Sequence, residues 1–227
     1  MRAYLAELLG TFGLVLVGTG AIIVNDVSGG LLGNAGIALA FAVIVFLMIC
    51  SFAHLSGAHI NPAVSMVFAL TGHLAWRKLG NYWLAQCCGA LLASGLLHLL
   101  FQHATLGATV PTPKYPALLA FGLEIVISSI LMLSIFYVIQ QHFSRIKSAA
   151  LIGSVVGLAA FLVGPLTGAS MNPARSLGPA LISGHFQHLW IYLTAPILGM
   201  LLAVPACQKI TRKTLCASGA CCNEVPA

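Results

Sequence analysis

The chain has 227 residues, of which 59% are hydrophobic and 6% charged. A soluble domain carries about 25% charged residues to dress its surface, so ten Lys/Arg and four Asp/Glu cannot cover a water-facing exterior. Composition therefore excludes a secreted disulfide-stapled domain and a disordered chain. The net charge of +6 is spread between apolar runs and not gathered on one face, which argues against a nucleic-acid partner.

A membrane span needs about 20 mostly apolar residues. Six stretches qualify in chain order: 4–24, 34–53, 81–101, 117–140, 149–166 and 189–208. The first contains Glu7 and leads into no small-residue cleavage site, so it reads as a span and not as a signal peptide. Two further apolar pieces, 61–71 and 172–183, are too short to cross. Each opens with Asn-Pro after a Gly-containing stretch. Asn is a good N-cap and proline fits the first helical turn, so both pieces are expected as half-helices that start abruptly.

Eight of the ten basic residues fall on one side of this layout: Arg2, Arg77, Lys78, Arg145, Lys147, Lys209, Arg212 and Lys213. The positive-inside rule then places both termini in the cytoplasm, in an integral protein of the plasma (inner) membrane with lipid as its surroundings. Lys114 lies on the other side. Arg175 belongs to neither and sits inside an apolar stretch, which marks it as a functional candidate.

The chain also repeats itself. Residues 56–65 read Ser-Gly-Ala-His-Ile-Asn-Pro-Ala-Val-Ser and residues 167–176 read Thr-Gly-Ala-Ser-Met-Asn-Pro-Ala-Arg-Ser, with six of ten positions identical. Glu7 stands 54 residues before Asn61, and Glu124 stands 48 before Asn172. Two halves follow, 1–113 and 114–208, each with three spans and one half-helix, then a tail at 209–227. An odd number of spans per half forces the copies to face opposite ways, as in inverted-repeat transporters and channels.

Non-helical backbone survives at membrane depth only where protein buries it or it lines a watery cavity. Gly57, Ala58, His59, Gly168 and Ser170 are thus expected to line a passage with their backbone. The two half-helix N-termini, each with about half a positive charge, would face a centre marked by Asn61 and Asn172. Such a centre repels cations and admits neutral molecules. Glu7 and Glu124 are expected to accept hydrogen bonds from the two non-helical stretches. A proton-relay role is the alternative.

The paired Asn-Pro-Ala motifs, with Leu5–Thr11 and Asn172–Ala180, resemble the aquaporin, or major intrinsic protein, family over roughly residues 3–208. The resemblance implies an all-α membrane protein of six spans and two re-entrant half-helices, a homotetramer with one pore per subunit, no cofactor and no catalysis. It also implies a selectivity filter at Phe41, Ala160, Ala169 and Arg175. Water-selective members carry histidine where Ala160 stands, so a wider filter is expected. Ser176 and the pair Tyr192-Leu193 bring the chain nearer to nodulin-like intrinsic proteins and their bacterial relatives. The expected solutes are water with glycerol, urea, or boric or arsenous acid. A strictly water-selective pore and an inverted-repeat secondary transporter are the alternatives.

Seven cysteines form no disulfide framework or zinc pattern. Cys216, Cys221 and Cys222 are close enough to capture a soft metalloid, while an unliganded tail is the competing reading. Gly153 and Gly157 form a small-xxx-small pair that permits close helix approach, within or between protomers.

Overall fold

The computed structural model describes the backbone of residues 1–217 and the side chains of residues 1–205. Among them the chain is all helix. Helix α1 (Arg2–Leu14) passes through a π-turn (Val15–Thr19) into α2 (Gly20–Val27). Then come α3 (Gly33–Ser56), α4 (Pro62–Leu70), α5 (Trp76–Phe101), α6 (Ala117–Gln140), α7 (Arg145–Thr167), α8 (Pro173–Ser183) and α9 (Leu189–Ala217). Five stretches are long and apolar enough to cross a membrane: 2–27 taken as one, α3, α5, α6 and α7. Leu189–Pro205 is a shorter apolar helix.

The long helices extend past their apolar windows into polar turns. α7 begins at Arg145 and not at 149, because Ser144 caps it by accepting from the Lys147 N–H at 3.5 Å. Arg145 and Lys147 then occupy its first turn, which a hydropathy window does not see. α5 likewise starts at Trp76, ahead of Arg77 and Lys78. Outward faces carry exposed leucines, among them Leu39, Leu92, Leu118, Leu158 and Leu162. Water would penalise that exterior and hydrocarbon accepts it, so the chain is an integral membrane protein.

Helices approach closely wherever a glycine removes a side chain. A Cβ on Gly153 would lie 2.7 Å from the Ala42 carbonyl oxygen, and one on Gly157 would lie 2.7 Å from the Ala42 Cβ. The Gly153/Gly157 pair therefore packs α7 on α3 within one protomer. Gly89 on α5 faces the Leu8 carbonyl oxygen at 2.2 Å, and Gly199 on α9 faces the Ile125 carbonyl oxygen at 2.3 Å, on the same measure. Leu8 and Ile125 each follow a membrane carboxylate. Cys50, Cys87 and Cys88 are free thiols. Cys216, Cys221 and Cys222 lie outside the described side chains.

Candidate functional site

Both short helices start on an asparagine cap. The Asn61 side-chain oxygen accepts from the Ala63 N–H at 2.9 Å. The Asn172 oxygen accepts from Ala174 at 3.0 Å and Arg175 at 3.4 Å. Proline follows each asparagine at N1, where its missing N–H costs nothing.

The preceding segments are built alike. α3 ends at Gly57 (φ 86°) and α7 ends at Gly168 (φ 85°), each a left-handed cap. Left-handed backbone continues at Ala58 and Ile60 and, in the second copy, at Ala169 and Met171. Each non-glycine residue held there costs about 1–2 kcal/mol, so something must over-determine the segment. That something is a carboxylate. Glu7 Oε1 accepts from Ser56 Oγ (2.6 Å) and the His59 N–H (2.9 Å), and Oε2 from the Ile60 N–H (2.7 Å). Glu124 Oε1 accepts from Thr167 Oγ1 (2.8 Å) and the Ser170 N–H (2.9 Å), and Oε2 from the Met171 N–H (2.9 Å). A tyrosine closes each segment from a distant helix. Tyr82 Oη donates to the Ser56 carbonyl at 2.9 Å, and Tyr192 Oη donates to the Thr167 carbonyl at 2.5 Å.

The two copies meet head to head. Asn61 Nδ2 donates to the Met171 carbonyl at 2.7 Å, and Asn172 Nδ2 donates to the Ile60 carbonyl at 2.8 Å. A primary amide nitrogen carries two hydrogens, so each asparagine keeps one N–H beyond this cross-bond. Both asparagines line a cavity of about 660 Å³. Part of its wall is the segment Gly57–Ile60. Another part is aliphatic, with Val45, Ile49, Leu131, Ile135, Ile152 and Val156. One polar stripe in an apolar tube suits a molecule with both C–H and O–H surfaces.

Arg175 is 1% exposed and also lines the cavity. Its Nη1 donates to the Gly107 carbonyl at 3.1 Å, and its Cζ stands 5.5 Å from the Phe41 ring centre. Its Nε and Nη2 have no partner among the described residues. A buried guanidinium with two idle donors is costly unless a transient acceptor passes, and this one borders the passage.

Of the candidate site residues, Asn61, Asn172, Phe41, Ala169, Arg175, Gly57, Ala58, His59 and Ser170 come together around the cavity. Ala160 and Gly168 do not line it. Ala160 is buried on α7, one turn beyond the lining residue Val156. Gly168 is packed against Thr109, to which a Cβ would lie 3.2 Å away. Reading from the sequence missed Tyr82, Gly107 and Thr109, and took Tyr192 only as a mark of family resemblance and not as a donor to Thr167. The two tyrosines recur at an offset of 110 residues, one less than the 111 of the decapeptides, so extending the repeat with a one-residue gap finds them. Gly107 and Thr109 carry no such signal. Among the described residues no cluster of His, Cys, Asp and Glu could hold a metal ion.

The family model described as Major intrinsic protein matches residues 1–206. The chain belongs to this family. "Aquaporin NIP1-1" of Zea mays is 39% identical over 202 residues, which cover 88% of this chain and 71% of that protein. "Nodulin-26" of Glycine max is 37% identical over 88% of this chain and 74% of its own length. The X-ray structure of the aquaglyceroporin from Plasmodium falciparum superposes with a TM-score of 0.82 at 28% identity, covering 91% of this chain and 93% of that one.

Proposed function

We propose that this major intrinsic protein is a passive channel for water and small neutral solutes such as glycerol, urea, and boric or arsenous acid. The carrying observation is the head-to-head junction. Two helix N-termini and two spare asparagine N–H groups face one cavity whose remaining wall is largely aliphatic. A neutral hydroxylated molecule accepts hydrogen bonds there while its carbon face slides along the aliphatic wall. Cations meet the positive ends of both helix dipoles and then the Arg175 guanidinium, and they carry no compensating contact. Anions fare better with the dipoles but lose their hydration in a tube lined by valine, isoleucine and leucine.

In this reading α4 and α8 are re-entrant half-helices, and six spans surround them. Residues 1–113 and 114–208 are the inverted copies and 209–227 is a cytoplasmic tail. Both termini face the cytoplasm of a plasma (inner) membrane, and four copies assemble with one pore each. Phe41, Ala160, Ala169 and Arg175 form the filter, with Ala160 one helical turn beyond the lining residue Val156. No side chain acts as a catalyst.

Stopped-flow swelling of proteoliposomes tests the reading. Water, urea, glycerol and arsenous acid are each expected to enter faster than in protein-free vesicles. Water alone would leave a strictly water-selective pore, and no flux of any solute would remove the channel. Uptake that acidifies the vesicle interior would instead signal a coupled transporter. Ala160→His, which adds bulk and a polar ring at the filter, is expected to lower glycerol entry about tenfold or more while water still passes.

A further inference from the structure

We propose that the π-turn Val15–Thr19 is the back wall of the filter, and that Gly18 within it is a specificity-determining residue. The proposal rests on the filter reading above. A π-turn inserts one extra residue into a helix, and such turns concentrate at functional sites. Here it touches both partners of Arg175. A Cβ on Gly18 would lie 2.3, 2.6 and 2.8 Å from Cε1, Cδ1 and Cζ of Phe41. The Phe41 ring therefore rests with a face against bare backbone. The next residue, Thr19, packs under the other partner: a Cβ on Gly107 would lie 2.8 Å from Thr19 Cγ2 and 3.2 Å from the Thr19 carbonyl oxygen. Gly107 itself has φ 62° and presents its carbonyl to Arg175 Nη1.

Phe41 lines the cavity and Gly18 stands behind it without lining it. The depth of bare backbone at Gly18 thus sets how far the ring withdraws from the passage. Carbon atoms rest about 3.5–4.0 Å apart, so a methyl at Gly18 must drive the ring more than about 1 Å away from the wall. The ring is the free end of a side chain, so it moves in preference to the backbone. Its way out leads into the lumen, where Arg175 fixes the facing side. Gly18→Ala therefore narrows the channel without changing any residue that touches solute.

The experiment compares the unsubstituted protein, Gly18→Ala, Phe41→Ala and the double variant in proteoliposomes of matched protein content. Water and glycerol permeabilities are read by stopped-flow light scattering. Gly18→Ala is expected to lower the glycerol-to-water ratio about tenfold. The double variant is expected to match Phe41→Ala, because the added methyl then meets no ring. A Gly18→Ala ratio within about twofold of the unsubstituted protein, or a loss that persists in the double variant, overturns the inference. Should Gly18→Ala fail to insert, the double variant decides. Recovered insertion and flux supports the contact, and continued failure overturns it. If the unsubstituted protein moves water but no glycerol, the same comparison is read on water permeability. An unsubstituted protein that moves neither solute refutes the proposed function before any variant is compared.

Discussion

At the scale of single residues, the two membrane carboxylates do one job in slightly different company. Glu124 takes three donors: Thr167 Oγ1 and the Ser170 N–H on one oxygen, the Met171 N–H on the other. Glu7 takes the matching three and a fourth from Gln86 Nε2 at 2.8 Å, and Gln86 also donates to Ser65 Oγ at 2.8 Å. Replacing either carboxylate by an amide turns one acceptor into a donor, so one or more backbone N–H groups must face an N–H. A buried donor left so costs about 1–3 kcal/mol, and the charge-assisted strength of the remaining bonds is lost as well. At position 7 there is partial relief. Gln86 Oε1 has no partner among the described residues, and by turning its amide Gln86 can accept from the new side chain. Glu124→Gln is therefore expected to lower the thermal midpoint in detergent by about 5 °C or more, and Glu7→Gln by less. An unchanged midpoint for Glu124→Gln, or the reverse order, would show that the carboxylates do not hold these segments.

At the scale of elements, helix contacts matter because they set whether each carboxylate reaches its segment. Leu8 and Ile125, the residues after the two glutamates, present their carbonyls to Gly89 and Gly199 at distances that admit no Cβ. The obstacle is backbone on a neighbouring helix, which cannot swing aside as a side chain does. Gly89→Ala and Gly199→Ala must therefore force apart α1 and α5 in one case, α6 and α9 in the other. Each is expected to cut the yield of folded protein and the thermal midpoint, at about 1–3 kcal/mol for overpacking. Gly80→Ala, where a Cβ meets open space, is the control and is expected to change neither. The sequence shows which segments are helices, because apolar length and Asn-Pro caps are local signals. It does not show these crossings, since a glycine at a crossing looks like any glycine in an apolar run. Gly153 and Gly157 illustrate the limit: their spacing announces a close contact, but α3 as its partner emerges only in three dimensions. The π-turn is invisible for a related reason, because one extra residue per turn leaves Val15–Thr19 as apolar as its neighbours.

At the scale of the whole molecule, two matched segments, each held by a carboxylate, meet head to head, and the match breaks at Arg175. The pairing was legible: matched decapeptides and matched carboxylates are enough to draw it. The break was half legible, since Arg175 against Val64 stands out in the sequence while the Gly107 carbonyl and the Gly18 backing do not. The cavity inherits the asymmetry. It runs from the level of Phe41 and Arg175 to a mouth bordered by His54, Phe143 and Arg145, where Arg145 Nη1 and His54 Nδ1 stand 3.1 Å apart. Arg145 belongs to the basic side of the chain, so this mouth is expected to face the cytoplasm. A thiol at Ala53, a half-buried cavity residue, makes that orientation measurable. Ala53→Cys is expected to lose glycerol flux to a charged methanethiosulfonate added to inside-out vesicles, because the reagent enters the mouth beside His54 and Arg145 and stays as a plug. Right-side-out vesicles are expected to keep their flux, because the reagent is larger than glycerol, is charged, and must first pass Arg175 and Phe41. The unsubstituted protein under the same reagent sets the baseline for its own cysteines. Block from the outer face, with the inner face protected, would turn the molecule over in its membrane while leaving every contact inside it as described.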